Sequence, residues 1–187
     1  MGTVATNVSV FLIHTLFMLY LLIAVLRFLL AWVRADFYNP LSQFLVSATN
    51  PVLTPLRRLL PSMGPVDTAS IVLILGIKLL ELVLLTTVAG GEINLLILFI
   101  TAILQVVELI IYIFMFSIII QVVISWVSPG TQHYGNPMAS ILYSLNEPLL
   151  RQMRRILPKT GMIDFSPMAV IIALNVALII IKSLFRY

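Results

Sequence analysis

One pattern of polar and turn-forming residues occurs twice in this chain. Asn39-Pro40, Pro51, Arg57-Arg58, Pro61, Gly64 and Asp67 recur at an offset of 97 as Asn136-Pro137, Pro148, Arg154-Arg155, Pro158, Gly161 and Asp164. Upstream the offset is 94, which pairs Trp32 with Trp126, Arg27 with Gln121 and His14 with Glu108; three extra residues near Pro129-Gly130 account for the change. Coincidence at so many distinctive positions is hard to obtain by chance when the remaining residues are mostly aliphatic. Fold, topology and any site must therefore be read against two copies of one module. The first copy covers 8–89 and the second 104–187, with 93–103 as an apolar connector.

Composition decides the surroundings of those modules. The chain is 61% hydrophobic and 10% charged, with a mean hydropathy of +1.13, against roughly 45–50% apolar and about 25% charged residues in soluble domains. A 187-residue globule has too little interior to hide that much apolar surface, so lipid must cover the excess. There is no cysteine, which excludes disulfides, thiolate metal sites and haem attachment through Cys-x-x-Cys-His. The net charge of +4 rests on residues too few and too scattered for a nucleic-acid platform.

Crossing a bilayer takes about 20 apolar residues. Four spans are predicted, near 8–33, 69–89, 104–127 and 168–185. No Lys or Arg precedes Arg27, and the first apolar run is too long for a signal-peptide core, so it is expected to stay as a span. Ile93–Ile103 either extends the third helix outward, which is favoured, or lies at the interface after Gly90-Gly91. The two long loops hold Arg34, Arg57, Arg58, Arg151, Arg154, Arg155 and Lys159, whereas the N-terminus and the 90–94 link hold no basic residue. The positive-inside rule then puts both loops in the cytoplasm and both chain ends outside, with Lys182 and Arg186 as the opposing votes. Two spans per copy means that both copies insert in the same direction, giving parallel repeats.

The loops have helical periodicity. Leu41, Phe44, Leu45, Ala48, Val52, Leu56, Leu59 and Leu60 recur at three- and four-residue intervals, as do Met138, Ile141, Leu142, Leu145, Leu149, Met153, Ile156 and Leu157. One-sided helices with Arg on the other face suit the cytoplasmic lipid interface. Pro51, Pro55 and Pro148 are expected to divide each loop into two short helices, lying on the membrane or tucked under the bundle. The fold class is thus an all-α membrane protein: four transmembrane helices in two parallel two-helix repeats, with amphipathic interfacial helices in the loops.

Candidate sites carry a structural and a functional reading each. Arg57, Arg58, Arg151, Arg154 and Arg155 either fix topology through anionic headgroups, at about 1 kcal/mol each, or dock a cytoplasmic protein. Asp67 and Asp164 stand just before apolar helices, with Ser70 and Ser166 behind them, and read as helix caps. Polar residues inside the spans fall in layers: His14 with Gln105 and Glu108, then Lys78, Glu81 and Asn175, then Arg27 and Gln121. Such a column is either an ion or proton path or a set of interhelical bonds holding a small bundle together. His14 and Glu108 lack a third metal ligand, and His133 is isolated in a Gly/Pro loop. No phosphate loop, nucleophile elbow, His-Glu-x-x-His pair or carboxylate dyad occurs, so no enzyme, cofactor or metal is expected.

The doubled pattern of Arg27, Trp32, Asn39-Pro40, Arg57-Arg58-Leu-Leu-Pro61, Gly64 and Asp67, with Arg154-Arg155-Ile-Leu-Pro158, Gly161 and Asp164-Phe-Ser-Pro167, resembles the YggT family over nearly the whole chain, in its two-copy form. Gln121 departs from the pattern where Arg27 keeps it, and Asp67-Thr-Ala-Ser70 departs from the Asp-x-Ser-Pro turn. The resemblance implies a multi-pass bacterial inner-membrane protein without known catalysis. Family members are linked to osmotic or extracytoplasmic stress, cell division and nucleoid distribution, and cytochrome maturation in plastids. The expected function is a scaffold or assembly factor in stress adaptation, contacting anionic lipids and an unidentified membrane or cytoplasmic protein, with homo-oligomers allowed and no nucleic acid. The rival is a small oligomeric ion transporter or channel component that uses the intramembrane charges.

Overall fold

The duplicated Asn-Pro steps each open a helix. In the computed structural model, which describes residues 4–60, 67–127, 136–157 and 164–185, the Asn39 side chain accepts from the Leu41 amide at 3.0 Å and the Asn136 side chain from the Met138 amide at 3.0 Å. Pro40 and Pro137 follow at the first helical position, where an amide hydrogen would have no helical partner anyway. The chain is all-helical: α1 (Val4–Trp32), α2 (Pro40–Leu59), α3 (Thr68–Val88), α4 (Leu95–Val127), α5 (Pro137–Ile156) and α6 (Ser166–Phe185). Pro61, Gly64, His133, Pro158, Lys159, Gly161 and Arg186 lie outside the described residues.

α1, α3, α4 and α6 are long and apolar enough to cross a membrane. Few of their residues are buried within the protein, which leaves a broad aliphatic surface for lipid. α3 stops at Gly90, whose φ of 71° turns the chain. The Gly90 amide returns to the Thr87 carbonyl and the Gly91 amide to the Thr86 carbonyl, at 3.1 and 2.9 Å, which satisfies two terminal acceptors. The same bonding ends α1 through Arg34 and Ala35, although Arg34 takes a φ of 54° that favours glycine.

Of the expectations for the segments between the spans, the favoured one for 93–103 holds and the one for the long loops changes. α4 is one uninterrupted helix of 33 residues, so the stretch from Leu95 to Ile103 is its first part and not an interfacial segment. α2 and α5 are single helices that run through Pro51, Pro55 and Pro148, where two short helices per loop were predicted. A proline removes one amide donor but leaves the other turns intact, and here a buried stripe holds the helix on both sides of it. Ser42, Leu45, Thr49 and Leu53 are buried along α2, and their equivalents Ala139, Leu142, Asn146 and Leu150 along α5. That stripe is rotated from the purely apolar one predicted: Leu41, Phe44, Val52 and Leu59 are exposed, while Thr49 and Asn146 point inward.

Two compact units result, one of Met1–Phe28 and Leu45–Leu109, the other of Leu29–Phe44 and Ile110–Tyr187. Leu53, Ala69 and Leu73 centre the core of the first, with Leu56, Leu60 and Ile77 around them. Ile118, Leu150 and Val170 centre that of the second, where Leu53 is matched by Leu150 and Leu73 by Val170. Repeat copies and compact units divide the chain differently, because the unit boundaries fall inside α1, α2 and α4.

Candidate functional site

Three groups of polar side chains stand out. The first lies wholly within the apolar spans of the first unit. Lys78 and Glu81, one turn apart on α3, pair at 2.9 Å, with side chains 6% and 0% exposed. His14 of α1 approaches the other Glu81 oxygen through Nδ1 at 2.8 Å. An ionised carboxylate only accepts, so Nδ1 carries the proton in this arrangement. Glu81 thus spends both oxygens on two different helices. The sequence layers placed His14 and Glu81 at different depths; the structure brings them into one cluster. Glu108, the equivalent of His14, is half-buried and has an interaction of its own. Asn175, the equivalent of Lys78, donates to the Ile171 carbonyl of its own helix at 3.0 Å and is exposed, so the second copy does not rebuild the cluster.

The second group ties each loop helix to the span before it. In the first unit, the buried Arg27 guanidinium donates to Thr49 Oγ1 at 2.7 Å and to Asn50 Oδ1 at 2.9 Å. In the second, Gln121 Oε1 accepts from Asn146 Nδ2 at 2.8 Å, and the Ser117 hydroxyl donates to Asn146 Oδ1 at 2.6 Å. Position 146 is position 49 plus the repeat offset of 97. A charged donor against a hydroxyl has been exchanged for an amide pair at the same place. Arg27 therefore serves α2 and does not partner Glu81. Thr49, Asn50, Asn146 and Ser117 were not picked out from the sequence; the signal available was that Thr49 and Asn146 are polar at equivalent places on a mostly apolar face.

The third group separates the arginines of each pair. Arg57 binds Asp67 through Nη2, and Asp67 also accepts from the Ser70 hydroxyl at 2.7 Å and its amide at 3.4 Å. Arg154 donates to Asp164 through Nε at 3.1 Å and to both Glu147 oxygens at 3.2 and 3.3 Å. Asp164 accepts from the Ser166 amide at 2.9 Å and its hydroxyl at 2.5 Å, two residues on where Asp67 reaches three. Each aspartate caps the start of its span and clamps the end of the preceding loop helix. Arg58, Arg151 and Arg155 are exposed and pair with no described acid.

Burial alone would raise the Asp67 pKa, but the Arg57 and Ser70 bonds outweigh it and hold the carboxyl below the usual carboxylate range. Asp164 is lowered likewise, by Ser166 and Arg154 against burial. A depressed folded-state pKa stabilises the protein above the unfolded value of about 4, and that contribution is lost as pH falls through the folded value. Thermal unfolding should therefore show a midpoint that declines below about pH 4. Asp67→Asn should lower the midpoint at neutral pH and flatten the decline; an identical acid limb in the variant would remove Asp67 as its source. Among the described residues no three of His, Asp and Glu gather to hold a metal ion.

A family model described as CCB3/YggT matches residues 6–88 and 100–185. An uncharacterised protein of Pseudomonas aeruginosa is 42% identical over 179 residues, covering 94% of this chain and 89% of that relative. The uncharacterised protein YggT of Escherichia coli K12 is 37% identical over 170 residues, covering 91% and 87%. One from Haemophilus influenzae is 40% identical over 154 residues, covering 82% and 80%. No solved structure matches.

Proposed function

This chain belongs to the CCB3/YggT family, and we propose that it is a non-enzymatic inner-membrane scaffold or assembly factor in osmotic and extracytoplasmic stress adaptation. In this reading both loop helices lie on the cytoplasmic side, both chain ends lie outside, and the two modules run parallel. The observation that carries it is the division of labour within each arginine pair. Arg57 and Arg154 are committed to aspartates that cap the next span, while Arg58, Arg151 and Arg155 remain exposed. Rigid helices that present uncommitted guanidinium groups twice over suit an acidic partner segment better than they suit catalysis. Val52 and Leu59, exposed on the same helix as Arg58, add an apolar edge to the basic surface.

The test leaves the clamps intact. Arg58, Arg151 and Arg155 are replaced by Gln together, and a photocrosslinking residue is placed at position 62 or 152 in the native membrane. A discrete protein adduct is expected, lost in the triple variant along with growth under osmotic stress. Adducts with lipid alone and unchanged stress growth would reduce the arginines to membrane anchors.

A second reading, ion or proton translocation, has its own observation in the fully buried Glu81 between His14 and Lys78. Ionisable groups within spans commonly mark such paths. Cation flux in liposomes that Glu81→Gln abolishes, in a protein that stays folded, would make it the better reading.

A further inference from the structure

The second unit contains a cavity of about 970 Å³ among the C-terminal end of α4, α5 and the N-terminal end of α6. That volume is near the upper end of the roughly 300–1,000 Å³ typical of small-molecule sites. Ile118 and Val122 of α4 and Ile171 and Ile172 of α6 line it, together with Arg154, Asp164 and Trp126. Along α4 the lining runs from Ile118 to Trp126, about 12 Å at 1.5 Å per residue. The cavity therefore has aliphatic walls within two spans and a charged end where the spans meet the loop. Trp126 is 79% exposed at that level, as interfacial tryptophans are.

Charge at the polar end selects the occupant. One guanidinium, that of Arg154, is shared between Asp164, which lines the cavity, and Glu147, which reaches Arg154 from beyond the lining, so the group carries a net charge of −1. The second terminal nitrogen of Arg154 has no partner among the described residues, leaving two N–H donors of the five a guanidinium carries. A purely anionic headgroup would meet the surplus carboxylate. A headgroup with a phosphate and a primary ammonium meets both signs: phosphate oxygens accept from Arg154, and ammonium hydrogens donate to Asp164 and Glu147. A quaternary ammonium has no hydrogens to give.

We propose that this cavity is a phospholipid site, holding an acyl chain between α4 and α6 and a phosphoethanolamine headgroup on Arg154, Glu147 and Asp164. Tryptophan fluorescence reads it directly. Trp32→Phe leaves Trp126 as the single tryptophan. The protein is reconstituted in phosphatidylglycerol vesicles carrying equal mole fractions of dibrominated phosphatidylethanolamine, phosphatidylcholine or phosphatidylglycerol. Brominated phosphatidylethanolamine is expected to quench Trp126 at severalfold lower mole fraction than the other two. Glu147→Gln brings the charge to zero and should erase that preference; Ile172→Phe narrows the walls and should weaken quenching by all three. The variants lie on different helices, so failure of one to insert leaves the other as the test. Equal quenching by the three lipids, as ordinary surrounding lipid gives, would overturn the proposal. So would stronger quenching by phosphatidylglycerol, a preference that survives in Glu147→Gln, or quenching that is not weakened in Ile172→Phe.

Discussion

Glu81→Leu is expected to lower stability by about 3–5 kcal/mol, because it strands a buried ammonium without its partner. Lys78 is 6% exposed and its pairing at 2.9 Å is with Glu81, so the charge has nowhere to go within the spans. His14 loses its acceptor in the same step. The double variant Lys78→Met/Glu81→Leu removes both charges with little change in volume and should recover most of the loss, since well-packed apolar replacements of buried pairs are often neutral. Thermal unfolding in detergent measures it, with a fall in midpoint on the order of 10 °C for the single variant. A single variant within two degrees of the parent, or a double variant no better than the single, would show that the pair does not hold α3.

The second large effect concerns Arg27, and the repeat supplies its control. Arg27→Ala removes two hydrogen bonds donated by a charged group, each typically worth about 1.5–3 kcal/mol, and frees α2 from α1 at Thr49 and Asn50. Arg27→Gln alone should be nearly as damaging, because a glutamine amide is shorter than the guanidinium that reaches Thr49. Arg27→Gln with Thr49→Asn rebuilds in the first copy the Gln121–Asn146 pair of the second. That double variant should regain at least half of what the single one loses, read as the unfolding midpoint in a detergent titration. No recovery would mean that the two copies position their loop helices by different means.

Sequence periodicity located the spans and both loop helices, because lipid-facing aliphatic runs and three- and four-residue spacing leave direct traces. The Asp-Ser steps were equally legible as caps, since a cap needs only its own turn; the Asn-Pro steps served in the sequence only as repeat markers, and their capping emerges from the structure. Proline misled at positions 51, 55 and 148: its local cost is visible in sequence, whereas the buried stripe that offsets it depends on what α2 and α5 pack against. The polar column grouped residues by depth and assigned no contacts between helices. Glu81 meets His14 as well as Lys78, and Arg27 meets Thr49, because side-chain reach and helix rotation decide contacts that depth alone does not. Within the arginine pairs nothing in the sequence distinguished Arg57 from Arg58; only the direction of each side chain relative to Asp67 does so.

The unit boundaries inside α1, α2 and α4 also set a timetable for synthesis. Chains are made from the N-terminus at about 5–20 residues per second, and domains generally fold as they emerge. The first unit includes residues up to Leu109, so it cannot close when its own repeat copy ends near residue 89. It waits for the first half of α4. Residues 29–44, already synthesised by then, belong to the second unit and wait for everything after Ile110. A ribosome that stalls between the copies would therefore hold a chain that lacks part of the contacts of both units.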